Sequence, residues 1–130
     1  MLIPSEVERL SAMSIWAHFD DIVRTGSLTI DRPRGCAHPK VPEYIYPLDY
    51  GYIDNTDGGD GSGIDIWLGS ADSRTATALF CTFDPLKRNA EVKVAWNCTE
   101  KEISVIEAFY APQPQAVLTV RRPKDPSPQT

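Results

Sequence analysis

Residues Tyr44–Asp65, YIYPLDYGYIDNTDGGDGSGID, decide how this chain is read. Tyr46, Tyr50 and Tyr52 share one parity, so in an extended segment their side chains point to one face of a sheet. Pro47 bends that segment or confines it to an edge. Two readings of the tyrosines stand side by side: packed or half-buried aromatics, which is what aromatics mostly do, or a wall of phenol hydroxyls aimed at an anionic ligand. Beyond Gly58 and Gly59, Asp60 and Asp65 flank a Gly61-Ser62-Gly63 turn. Carboxylates crowded into a glycine-rich loop repel one another unless a cation neutralises them, so the pattern points to a hard metal with oxygen ligands, magnesium first.

The size and composition set bounds on this site. A chain of 130 residues is expected to form one domain. A net charge of −5 leaves no basic field to collect phosphates along a strand, so a general nucleic-acid binder is not expected. Apolar runs are much shorter than the roughly 20 residues of a membrane span, and Glu6 and Glu8 stand where a secretory leader carries positive charge. The expected setting is cytoplasmic, without a membrane partner. Cys36, Cys81 and Cys98 have no CxxC spacing, so they read as buried thiols rather than a disulfide framework or a zinc site.

Working outward, residues 5–25 read as one amphipathic helix, capped by Ser5 with Glu8 and closed by Gly26, with Val7, Leu10, Met13, Trp16, Phe19 and Val23 on its apolar stripe. His18 beside Asp20 and Asp21 reads as a solvated polar face rather than a metal cluster. Residues 27–31 read as a strand, 37–43 as a rigid polar loop with His38 and Lys40, 64–68 as a short buried strand, and 75–83 and 91–96 as two more. On the last of these Glu91 and Lys93 share one face, turned away from the core, and Val92, Val94 and Trp96 share the other. Thr99 and Glu102 form a capping box for a helix to about Tyr110, and residues 115–122 read as an edge strand. The domain is expected over 1–122, with 5–25 an added helix and 123–130 a disordered tail.

The sequences Tyr46-Pro47-Leu48-Asp49-Tyr50-Gly51-Tyr52-Ile53 and Asp60-Gly61-Ser62-Gly63-Ile64-Asp65-Ile66 together resemble the YPxxYGxI and DGDPxDV motifs of soluble family I inorganic pyrophosphatases. The resemblance extends loosely from Leu28 to Tyr110. It implies an α+β, β-rich fold: a small OB-like closed β-barrel with an N-terminal and a C-terminal helix packed outside it. It also implies magnesium, with manganese possible as a substitute, held by Asp60, Asp65, Asp84 and Glu91. Asp84, Glu91 and Lys93 are similar to the family's Asp followed by D-x-K, although a surface hairpin with an ion pair has the same pattern. Asp65, Lys93 and Tyr50 take the catalytic roles by the same carry-over. Arg34, Lys40, Tyr46, Tyr50, Lys93 and Tyr110 bind substrate phosphate, with Arg32, Arg121 and Arg122 as further basic candidates, and Asp31, Asp49 and Ser62 lie behind or beside them.

The implied reaction is magnesium-dependent hydrolysis of inorganic pyrophosphate. Two positions depart from the family pattern. Ser62 stands where the family has the middle carboxylate, a bridging metal ligand that helps deprotonate the attacking water, and Asp49 and Asp57 are the nearby acids that can compensate. Ala111 stands where the family has a lysine after Tyr110. These departures keep two alternatives open: the same scaffold acting on another phosphorylated substrate, and a non-catalytic phosphate or nucleotide-binding module. The expected partner is a small phosphorylated substrate. A homo-oligomer is also expected, with the added helix and its Trp16 and Phe19 as the subunit contact.

Overall fold

The computed structural model describes residues 1–59 and 61–124. Asp60 and the part of the expected tail from residue 125 onward lie outside the described residues. The elements in chain order are α1 (Pro4–Ala12), α2 (Ile15–Thr25), β1 (Leu28–Arg32), β2 (Asp49–Ile53), β3 (Ile64–Leu68), β4 (Ala76–Asp84), β5 (Asn89–Trp96), α3 (Glu100–Tyr110) and β6 (Ala116–Arg121). The strands form one six-stranded mixed sheet in the order β1-β2-β3-β5-β4-β6. Neighbours pair antiparallel except β3 and β5, which run parallel with Ile66 opposite Val94.

This sheet is open, which corrects the closed barrel that the resemblance implied: β1 and β6 form opposite edges and do not pair. The physical reason lies in the burial of both faces. A barrel of this size has one packed interior, whereas this sheet has two cores. On one face Trp67, Ala78, Phe80 and Ala95 pack under Ile103, Ile106 and Tyr110 of α3. On the other, Ile53, Ile66, Leu79, Val94 and Trp96 pack under Trp16 of α2, with Phe19, Ile22 and Val23 beside it. Each helix needs a sheet face of its own, and an open sheet supplies two.

The N-terminal segment is two helices rather than one. Pro4 occupies the first turn of α1, a position that its fixed φ suits, so the helix begins before Ser5 and the expected Ser5 cap does not form. The chain leaves helical geometry at Met13 and Ser14, and the Ser14 hydroxyl accepts from the Ala17 N–H at 3.1 Å to start α2. His18 is not on a solvated face, because its Nε2 meets the Leu10 carbonyl at 2.8 Å and ties the two helices together. Gly26 closes α2 with φ −102°, outside the left-handed region, and is needed for space: a Cβ there would lie 2.6 Å from the Ile22 carbonyl oxygen.

Two interactions fix how the sheet is assembled. Gly51 in β2 lies so close under β1 that an added Cβ would overlap the Thr29 carbonyl. The second is a buried carboxylate. Asp20, 5% exposed, accepts from the Ala76 N–H at 2.8 Å and from Arg122 at 2.9 and 3.0 Å, joining α2 to β4 and to the residue that follows β6. Arg122 also donates to the Ala76 carbonyl and lies over the Trp16 ring.

Removing one member of such a pair strands the other in a poorly hydrated place. Arg122→Ala is therefore expected to cost about 1–3 kcal/mol, seen as a lower urea midpoint with an unchanged slope, whereas Arg121→Ala at the exposed Glu100 and Glu107 pairs should cost well under half of that. Equal losses would contradict this account of the two arginines.

Candidate active site

The site occupies the α3 side of the sheet, where the helix stops covering it. Strand register decides which residues meet there. Tyr50 is opposite Trp67 and Tyr52 opposite Asp65, so these four share a face across β2 and β3. The parallel pairing of Ile66 with Val94 places Asp65 next to Lys93, and across β4 Phe80 faces Lys93 and Thr82 faces Glu91. The face that carries Glu91 and Lys93 was expected to turn away from the core. Instead it belongs to the α3 core at the Ala95 end and opens into a cleft at the Glu91 end.

Lys93 lies at the centre of the cleft. Its side chain is only 12% exposed, and its Nζ donates to the Tyr50 hydroxyl at 3.0 Å, with Asp65 Oδ2 at 3.4 Å and Glu91 Oε2 at 3.9 Å. The ammonium also lies over the rings of Tyr50 and Tyr110. An ammonium withdrawn from water needs such partners, and two carboxylates, a phenol oxygen and two ring faces provide them. Around it, a hollow of about 540 Å³ is lined by Asp31, Arg32, Ser62 and Asp65 among others. It continues into an arm of about 190 Å³ toward Asp84, Asn89 and Gln113. His38, Tyr46, Tyr50, Lys87, Glu91 and Lys93 border both parts, so the two form one cleft.

The aromatic side chains make its rigid wall. Tyr46, Tyr50, Trp67, Phe109 and Tyr110 lie in mutual ring contact at centroid distances of 4.6 to 5.9 Å, and Trp67 Nε1 donates to the Tyr110 hydroxyl at 2.9 Å. The rings pack, as the first reading of the tyrosines has it, and the Tyr46 and Tyr50 hydroxyls accept from Arg32 and Lys93. Burial holds the Tyr50 phenol well above the usual range, assisted by Tyr110 and Asp65. Burial also raises Tyr110, against the Trp67 hydrogen bond, and raises Tyr46, against the nearby Arg32. All three therefore keep their protons at neutral pH and present O–H groups rather than phenolates.

Among the residues singled out from the sequence, Asp31, Tyr46, Tyr50, Ser62, Asp65, Asp84, Glu91, Lys93 and Tyr110 line this cleft. Asp84 lies at its margin and accepts from the Lys87 and Leu86 N–H groups at 3.1 and 2.8 Å, which closes the β4–β5 turn; these bonds, Lys87's foremost, hold the carboxyl below its ordinary range. Arg34 and Lys40 lie elsewhere. Arg34 lines a separate hollow with Gly35, Pro47 and Lys101, and its backbone N–H donates to Asp49. Lys40 is exposed and touches His38 through its backbone N–H. Arg121 pairs with Glu100 and Glu107, and Arg122 with Asp20, away from the cleft.

The cations that do line it are Arg32, Lys87 and Lys93. Arg32 was passed over for Arg34, yet it pairs with Tyr50 in the β1–β2 register and donates to the Tyr46 hydroxyl at 3.2 Å. The register depends on a bulge between Thr29 and Arg32, which no spacing in the sequence announces. His38 was read as a loop residue. Its Nδ1 accepts from the Lys40 and Val41 N–H groups, leaving the proton on Nε2, and its ring lies parallel to Tyr46.

Among the described residues, no three His, Cys, Asp or Glu side chains form a ready metal-binding group. Asp65 and Glu91 do present hard carboxylate oxygens from neighbouring strands, on either side of one ammonium. Magnesium is commonly held by one or two carboxylates with phosphate oxygens and waters completing its shell, and this pair fits that mode. Comparison with family models found no match to this chain, and comparison with curated proteins found none either.

Burial, then the charges of Arg32 and Lys40, lower the His38 pKa below its ordinary value near 6.5. Above that value both folded and unfolded chains carry a neutral ring, so His38 does not affect stability. As pH falls below it the unfolded chain takes up the proton first, and stability is lost until the folded ring titrates as well. Ring-proton NMR should place the His38 midpoint below 6.5, and His38→Gln should reduce the loss of urea stability between pH 7 and pH 5. A midpoint above 6.5 would contradict the assigned environment.

Proposed function

We propose that the cleft binds a phosphorylated anion together with magnesium and hydrolyses a phosphoanhydride, inorganic pyrophosphate being the simplest substrate. One observation carries this reading: an ammonium, Lys93, held between two carboxylates and a phenol in a cleft that also contains Arg32 and Lys87. A phosphate ligand needs the cations and a metal needs the acids, and here Lys93 lies 3.4 Å from Asp65 and 3.9 Å from Glu91. The likeness to family I pyrophosphatases in the Tyr46–Ile53 and Asp60–Ile66 stretches supports the same reading.

In this proposal Asp65 and Glu91 hold the metal, with Asp60 lying outside the described residues. When bound, magnesium neutralises phosphoryl charge and lowers the pKa of water. Arg32 grips two phosphate oxygens with its planar fork, Lys93 neutralises a third, and the protonated Tyr50 hydroxyl helps to orient the group. Water attacks phosphorus, a new P–O bond forms as the bridging P–O bond breaks, and the electron pair leaves on the second phosphate. Asp65 accepts the water proton.

Ser62 supports a second reading. It lines the hollow at the position where the resemblance calls for a carboxylate, and a serine hydroxyl is a weak metal ligand and a poor base at neutral pH. The same machinery acting on a different phosphorylated substrate accommodates that change.

The test is phosphate release from pyrophosphate by the purified protein with magnesium. Asp65→Asn and Lys93→Met are each expected to lower the rate by about 100-fold or more, the range seen when a group stabilising transition-state charge is lost. Ser62→Asp is expected to raise it. Turnover no greater than buffer across magnesium and manganese concentrations would rule out pyrophosphate and leave the second reading.

A further inference from the structure

The arm of the cleft has a composition that a bare phosphate does not use. Beyond Lys93 it is walled by the paired ends of β4 and β5, with Thr82 and Asn89, and by the segment between α3 and β6, with Gln113 and Gln115. Its volume of about 190 Å³ is that of several water molecules at ~30 Å³ each, which is the scale of a sugar ring. It adjoins a hollow of about 540 Å³ that already has room for two phosphoryl groups.

Besides Asp84, Lys87, Glu91 and Lys93, the arm is lined by uncharged donors and acceptors, and two of these are fixed in place. Gln113 Nε2 donates to the Phe109 carbonyl at 2.9 Å, and Gln115 Nε2 donates to Gln113 Oε1 at 3.2 Å. That chain sets both amide orientations and leaves Gln115 Oε1 as an acceptor. Asn89, the first residue of β5, lines the same arm and is only partly exposed. Prepositioned amides lining a ring-sized space suit hydroxyl groups, which both donate and accept, and the partly exposed Phe109 ring beside them gives a sugar a surface to rest on.

From this geometry we infer that the substrate is a phosphorylated sugar: the phosphoryl end lies at Arg32 and Lys93, and the hydroxylated ring lies in the arm between Asn89 and Gln115. This inference rests on the phosphate-binding reading of the cleft and specifies what is attached to the phosphate. It specifies the second reading of the site, in which the bond broken is that of a phosphate ester and the group leaving phosphorus is a sugar hydroxyl rather than the second phosphate of pyrophosphate.

Titration calorimetry with magnesium present, comparing inorganic phosphate, methyl phosphate and ribose 5-phosphate, separates these claims. Ribose 5-phosphate is expected to bind about tenfold more tightly than methyl phosphate, as two net hydrogen bonds allow. Asn89→Ala and Gln115→Ala are each expected to remove about three- to fivefold of that advantage while leaving methyl phosphate and the thermal midpoint unchanged. Equal affinity for the two esters, or equal losses for both in the variants, overturns the sugar inference and leaves the phosphate reading standing. Binding of none of the three, nor of pyrophosphate, overturns both.

Discussion

The parallel pairing of β3 with β5 is the constraint on which the cleft depends. Asp65 lies on β3, Glu91 and Lys93 lie on β5, and β4 comes between those strands in the chain while lying outside them in the sheet. Because side chains alternate along a strand, the pairing of Ile66 with Val94 places Asp65 beside Lys93, and a slip of one residue would send one of them to the α2 face. There it would enter the Ile66, Leu79 and Val94 core, where a charge has no partner. The apolar packing on one face therefore sets the register of the charged residues on the other.

Two buried faces also explain why the cleft is rigid. Trp67 is fully buried, yet its indole N–H holds the Tyr110 hydroxyl, and its ring abuts Tyr50. The same residue closes the core under α3, fixes the Tyr110 hydroxyl and packs against the Tyr50 ring. The capping box of α3, with Glu102 also accepting from the Ser70 N–H, anchors the start of that helix to the loop that follows β3. At the other end Gln113 satisfies the Phe109 carbonyl, so the end of the helix forms part of the wall of the arm.

The sequence disclosed the strands and the central residues because both depend on local periodicity. Ile64–Leu68 was legible to the residue, the Thr99–Glu102 box was visible from its spacing, and the shared parity of Glu91 and Lys93 placed them together. Other features depended on distant partners. That Arg32 rather than Arg34 faces the cleft follows from a bulge against β2. That Arg122 holds Asp20 involves residues 102 positions apart, and Asp20 seemed from its neighbours to belong to a solvated face. The open sheet was hidden for a related reason. Closure depends on whether the edge strands meet, and nothing in the alternation of β1 or β6 reports that.

In the proposed function, the ammonium and a divalent ion would compete for the same carboxylate oxygens of this cleft. Lys93 lies 3.4 Å from Asp65 and 3.9 Å from Glu91, so a cation held by those carboxylates would lie within a few ångströms of Nζ. Two like charges 4 Å apart repel by several kcal/mol at the effective dielectric of a partly exposed site, on the order of 4 kcal/mol per unit-charge pair. That repulsion is relieved when an anion enters and takes up the ammonium. On the proposed function, metal and phosphate would therefore favour each other's binding, and with serine at position 62 contributing no further negative charge, the phosphate would have the larger share of that task. A site of that kind would bind its ligands as a set, with Lys93 passing from carboxylate to phosphate as the set assembles.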